Sequence, residues 1–151
     1  MIVDFDELIK LAPESLTFVI GAFDILHAGH IHFLEEAKRS GRGNKLLVGL
    51  LPDETVRQRK GADRPIIHED ERAIILDSLK VVDYVFIAPV NSISNISSKV
   101  IAKVHPEYSV ATRDDWNARS EEWSTDGTEL ILIDKIPERS TSHIVRKIKN
   151  R

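Results

Sequence analysis

Five short apolar runs do most to restrict how this chain can fold: residues 17–20, 46–51, 84–88, 108–111 and 130–133. Each has the length of a strand and is rich in Val, Ile, Leu or aromatic residues. They lack the alternation of a sheet with one wet face, so each is expected to be covered on both sides. The segments between them carry helical spacing. Ile31, Leu34 and Ala37 share one face, as do Ile74, Ile75 and Leu79; Ile93, Ile96, Val100 and Ile101; and Ile144, Val145 and Ile148. Strand and helix therefore alternate, which predicts an α/β, Rossmann-like, doubly wound fold: a five-stranded, mainly parallel sheet with helices on both faces and right-handed crossovers. Ligands in such sheets gather beyond the carboxyl ends of the strands. Phe5, Leu8 and Ile9, ended by Pro13, predict an additional helix within residues 1–16, packed on the outside. Residues 40–44 read as a turn, with Gly41 or Gly43 as a positive-φ cap. The Ser/Asn-rich residues 91–98 are not a disordered tract, because Ile93 and Ile96 punctuate them.

A length of 151 residues with 42% apolar content suits one domain with a substantial core. Twenty-four acids against 21 bases give a formal charge of −3 spread along the chain, so no basic surface marks a nucleic-acid binder. The acidic start lacks a leader's basic and apolar regions, and no stretch approaches the length of a membrane span. With no cysteine there is neither a disulfide framework nor a thiolate metal site. A cytoplasmic protein is expected.

The chemistry concentrates in GAFDILHAGH, residues 21–30, directly behind the first apolar run. A helix from Ala28 to Lys38 places His27 and His30 three residues apart in its first turn, beside backbone N–H groups without helical partners. Partial positive charge and free donors favour an anion there, and Gly21 and Gly29 let it approach the backbone. Two other readings use the same residues. The histidines form a zinc site only if Asp24 or His32 supplies a further ligand, or they simply cap the turn.

Gly21-Ala22-Phe23-Asp24 followed by His27-Ala28-Gly29-His30 resembles the signature of the cytidylyltransferase-like nucleotidyltransferase superfamily, in which an H-x-G-H motif follows a G-x-F-D turn. The resemblance spans about residues 17–149, and 57–85 is similar to the sugar-phosphate adenylyltransferases of the ADP-heptose synthase type. It implies that His27 and His30 bind nucleotide phosphates and stabilise the transition state, with Gly21, Ala22, Phe23, Asp24 and Gly29 around the nucleotide.

Three further segments join the site on this reading. Lys60, on a glycine-broken loop, is suited to reaching phosphate, although alone it reads as a solvated surface lysine. Arg72 either faces the substrate or pairs with a neighbouring acid. In Arg113-Asp114-Asp115-Trp116, Arg113 and Asp115 are assigned to the nucleotide and Asp114 and Trp116 to the substrate, while either acid could instead be a helix cap. The family commonly has glycine before the acid here, and Thr112-Arg113 replaces it, so a side chain is expected where backbone normally approaches the ligand. Arg139-Ser140-Thr141-Ser142 matches the family's S-T-T hydroxyls and forms a second phosphate cradle at a helix start, or caps that helix alone.

The implied reaction is transfer of AMP, or CMP, from a nucleoside triphosphate to a phosphorylated small molecule, with release of pyrophosphate. Mg2+ is the expected cofactor, no residue is assigned to hold it, and a homodimer is implied by analogy. A sugar phosphate with ATP is preferred. Glycerol 3-phosphate with CTP, and FMN with ATP, are the enzymatic alternatives. A nucleotide-binding regulatory protein that has lost transfer is the alternative of another class.

Overall fold

The computed structural model describes residues 1–11, 15–89, 96–119 and 127–151. Pro13 and Ile93 lie outside the described residues. Seven helices among the described residues, α1 (Phe5–Leu11), α2 (Ala28–Ser40), α3 (Asp53–Lys60), α4 (Glu69–Asp77), α5 (Ile96–Val104), α6 (Arg113–Arg119) and α7 (Thr141–Lys149), surround one parallel sheet. Its strands are β1 (Leu16–Gly21), β2 (Lys45–Leu50), β3 (Tyr84–Ile87), β4 (Tyr108–Thr112) and β5 (Glu129–Ile133), in the order β3-β2-β1-β4-β5. The chain is thus an α/β, Rossmann-like fold, with all recorded strand pairings parallel.

The unalternated strands are explained by two apolar clusters, one on each face. Successive residues of β1 and β2 point to opposite sides: Phe18 and Leu47 join Val3, Leu8, Phe86 and Ile101, whereas Val19 and Val48 join Leu34, Ala37, Leu76 and Val85. Burying such side chains contributes roughly 1.5–3 kcal/mol each, so both faces favour the same sheet.

Topology creates the opening. β1 pairs with β2 along its whole length, from Leu16↔Lys45 to Gly21↔Leu50, but with β4 only at Thr17↔Tyr108 and Phe18↔Ser109. Strand order reverses between β1 and β4, and their carboxyl ends part, which leaves a crevice at the switch point.

Several expectations are amended. Lys60, expected on a loop, ends a helix that the sequence reading did not mark, α3: Pro52 is its N-cap, Asp53 and Glu54 complement the dipole of its first turn, and Thr55 and Val56 are buried. The expected N-terminal helix is α1; its Leu8 belongs to the core, and the Val3 amide donates to the Val85 carbonyl (2.9 Å), extending the sheet at its β3 edge. Gly41 has φ −74°, so it is not a positive-φ cap; a Cβ there would lie 1.9 Å from the buried Thr17 Oγ1, and close approach is what requires glycine. Positive φ falls on Arg42 and Gly43. Among the described residues no helix is long and apolar enough to cross a membrane.

Candidate functional site

A cleft of about 310 Å3 lies at the crevice. Its floor is the strand end Ile20–Gly21–Ala22 with Leu51 and Ala111, and its walls are the first turns of α2 and α7, the end of α3, and residues 134–136. Two tight kinks bring β1 into α2, where the non-glycine residues Phe23 and Ile25 both take positive φ (47° and 48°). Strain of this kind persists only where surrounding packing holds it. Here Phe23 is buried against Gly21, where a Cβ would come within 3.0 Å of its ring, and against the His30 ring at 5.4 Å.

His27 is the N-cap of α2. Its Nδ1 accepts the Gly29 amide (3.1 Å), and His30 Nδ1 accepts the His27 amide (3.4 Å), a reciprocal capping box built from two imidazoles. The rings stack with centroids 3.9 Å apart. Burial, followed by the charges of His27 and Lys60, drives His30 down to a pKa of about 3; burial lowers His27 as well. Both rings are therefore neutral near pH 7. Since each Nδ1 accepts from backbone, the remaining ring proton sits on Nε2. His27 Nε2 is buried and, among the described residues, has no acceptor. The capping reading of the histidines is thus realised, and it leaves Nε2–H as the one ring donor of each. The amides of His27 and Gly29, expected to be free for a ligand, are used by these caps.

The opposite wall is α7. Ser140 caps it, its Oγ accepting the His143 amide (3.2 Å), and the Thr141 hydroxyl donates to the Asp24 carbonyl (2.6 Å), which ties the two helix starts together. Gly29 lies under this wall: a Cβ on it would stand 2.7 Å from the Arg139 carbonyl. Arg139 and Ser142 line the cleft from exposed positions. Lys60 enters from the end of α3 and is not on a mobile loop. Much of the residue stays open to solvent, yet desolvation by the protein about its ammonium, and then Arg64, hold it below the ordinary lysine value.

Of the residues expected at the site, Gly21, Ala22, Phe23, His27, Gly29, His30, Lys60, Asp115, Arg139, Ser140, Thr141 and Ser142 line the cleft. Five do not. Arg72 is fully buried beneath it, donating to the Ile67 carbonyl (2.9 Å), the Leu51 carbonyl (3.0 Å), the Ala22 carbonyl and Asp53 (2.6 Å). With its donors spent on backbone and an acid, it is a structural tie and not a substrate ligand. Asp24 is 1% exposed and turned away from the cleft, accepting from Arg64 Nε (2.8 Å) and from the amides of Ile66 and Ile67. Burial alone would raise its pKa, but those amides and Arg64 more than reverse the effect and lower it. Arg113 is spent on Asp134 (3.0 Å) and does not itself line the cleft. Asp114 is exposed and Trp116 half-buried on α6, both outside the cleft. Neither acid caps α6, a role taken by Thr112, whose Oγ1 accepts the Asp115 amide (3.2 Å) and donates to the Asp115 carboxylate (2.6 Å).

The structure adds Lys135, His32 and the neighbouring Arg59 to the lining. Lys135 Nζ lies 3.5 Å from Asp115 and 3.8 Å from Asp114, poised at the rim after β5. No local pattern distinguishes it in the sequence, where it sits between Asp134 and Ile136 without glycine or hydroxyls. A zinc site does not assemble: Asp24 is committed to Arg64, and among the described residues no three His, Asp or Glu converge on a cation position. The same donor set makes a poor resident magnesium site, since Asp134 is taken by Arg113 and Asp115 by Thr112 and Lys135.

A family model described as cytidylyltransferase-like matches residues 18–146, from β1 into α7. The chain belongs to the cytidylyltransferase-like family. It is, accordingly, a nucleotidyltransferase. Similar proteins include the bifunctional protein HldE of Methylobacillus flagellatus, 40% identical over 89% of this chain and 27% of that protein, and HldE of Campylobacter fetus, 34% identical over 98% and 31%. The chain spans less than a third of the length of these curated relatives. Among solved structures, a lipopolysaccharide core biosynthesis protein from Thermoplasma volcanium is 28% identical with a TM-score of 0.65, over 81% of this chain and 98% of that one. Pantothenate synthetase from Thermus thermophilus, at 15% identity and a TM-score of 0.66 over 89% of this chain and 62% of that one, shares the fold.

Proposed function

We propose that this nucleotidyltransferase moves AMP from ATP to a sugar phosphate and releases pyrophosphate. The observation that carries the reading is the facing of two phosphate-suited walls across one cleft: the paired Nε2–H donors of His27 and His30, and the hydroxyl-capped start of α7. The similarity to HldE, and to a lipopolysaccharide core biosynthesis protein, supports a sugar phosphate as acceptor. An acceptor phosphate oxygen attacks the α-phosphorus in line, the bond to the bridging oxygen breaks, and its electron pair leaves with pyrophosphate. His27, His30, Lys60 and Lys135 stabilise charge on the phosphoryl oxygens, and the cleft holds the reactants in line. Charge-assisted contacts of this kind contribute roughly 1.5–3 kcal/mol each. Magnesium travels with the triphosphate as part of the substrate. The test is pyrophosphate release from ATP and from CTP against a panel of phosphorylated acceptors. Release with ATP and a sugar 1-phosphate is expected; release only with CTP, or only with a non-sugar acceptor, overturns the assignment, and binding without release points to a regulatory protein.

A further inference from the structure

Beside the cleft, a second groove of about 290 Å3 runs between residues 60–64 and the later turns of α7. Lys60 and Ser142 line both cavities, so the groove adjoins the cleft. It is strongly basic, with Lys60, Arg64, Arg146 and Lys149 set against Asp63, whose carboxylate takes Lys149 at 3.2 Å.

Arg64 is the unusual member. Its side chain is only 8% exposed, and Nε is spent on Asp24, yet among the described residues Nη2 is buried with no acceptor. Leaving a guanidinium N–H dry and unpaired is costly, and a neighbouring lysine worsens the repulsion. A ligand carrying several oxygens and negative charge removes both penalties at once. Arg is also the side chain best shaped to grip phosphoryl oxygens.

We propose that this groove is a phosphoanion subsite, formed by Arg64, Arg146, Lys149 and Lys60, which holds a phosphate or pyrophosphate group next to the nucleotide cleft. Its use in transfer rests on the function proposed above, and two sources fit: the pyrophosphate that departs, or a phosphate of the acceptor.

Calorimetric titration with inorganic pyrophosphate tests the site without any turnover. The variant Arg146→Ala/Lys149→Ala, altered only at exposed positions, is expected to bind pyrophosphate at least tenfold more weakly while melting close to the parent. Arg64→Lys, which keeps the charge beside Asp24 but removes Nη2, is expected to weaken binding severalfold. Unchanged pyrophosphate affinity in both variants overturns the proposal, and this holds whether or not the chain proves to be an adenylyltransferase. Steady-state kinetics of the double variant then assign the source. A tenfold higher inhibition constant for pyrophosphate with an unchanged acceptor KM identifies the leaving group, and the opposite split identifies the acceptor. Failure of both constants to move overturns the site's part in transfer.

Discussion

At the scale of single residues, the histidine pair shows how one pattern can serve folding and chemistry together. Each ring spends Nδ1 on capping α2, and that fixes the tautomer with its proton on Nε2. His30→Ala is expected to lower turnover at least tenfold, with KM for nucleotide changing less, as measured by pyrophosphate release on the folded variant. The pKa carries a second expectation. His30 titrates near 3 in the folded chain against 6.5 for a free imidazole, so below pH 6.5 the unfolded state binds more protons than the native one. Stability drawn from this group is fully present above pH 6.5 and is lost as the pH falls toward 3. His30→Asn removes that dependence, so its melting temperature should fall less steeply than the parent's between pH 7 and pH 4. Parallel melting curves against pH would show that the ring is not buried as described. The helix start was legible in the sequence, from H-x-G-H behind a buried strand. The tautomer was not, because it depends on which nitrogen meets which amide.

At the scale of elements, the apolar runs marked all five strands because burial on two faces leaves long unbroken hydrophobic stretches. The helix α3 escaped notice for the opposite reason. It is short and almost wholly charged, with Val56 its one large apolar residue, so no periodicity announces it. Lys60 was accordingly placed on a loop, although a helix end is what aims it. Asp24 was assigned to the nucleotide by resemblance, and Arg72 was left between the substrate and a neighbouring acid; burial and exhausted hydrogen-bond capacity, which sequence does not display, turn Asp24 to the frame and pair Arg72 with Asp53. The approach of α2 to α7 gives an element-level expectation. Gly29→Ala forces a methyl group to within 2.7 Å of the Arg139 carbonyl, so the two helix starts must separate. KM for nucleoside triphosphate should rise at least tenfold, with a modest loss of stability; unchanged binding by titration calorimetry would mean that the spacing is not set there.

At the scale of the whole molecule, two buried arginines brace the carboxyl edge of the sheet from below. Arg72 joins the ends of β1 and β2 to the start of α3, and Arg64 joins the 60–67 segment to the turn after β1 through Asp24. Removing one partner of such a buried pair costs about 3–5 kcal/mol. Arg72→Ala is therefore expected to lose a large part of the fold's stability in urea denaturation. Arg72→Lys should recover little of it, because a lysine cannot reach acceptors in several directions at once. Near-parental stability of either variant would refute the bracing role. The hydrogen bond from Thr141 to the Asp24 carbonyl has a consequence of its own. A vice whose jaws are bolted to each other has one gauge: it selects by the length of what it grips, so chains of two and three phosphates should be told apart by reach alone, with no need for the jaws to travel.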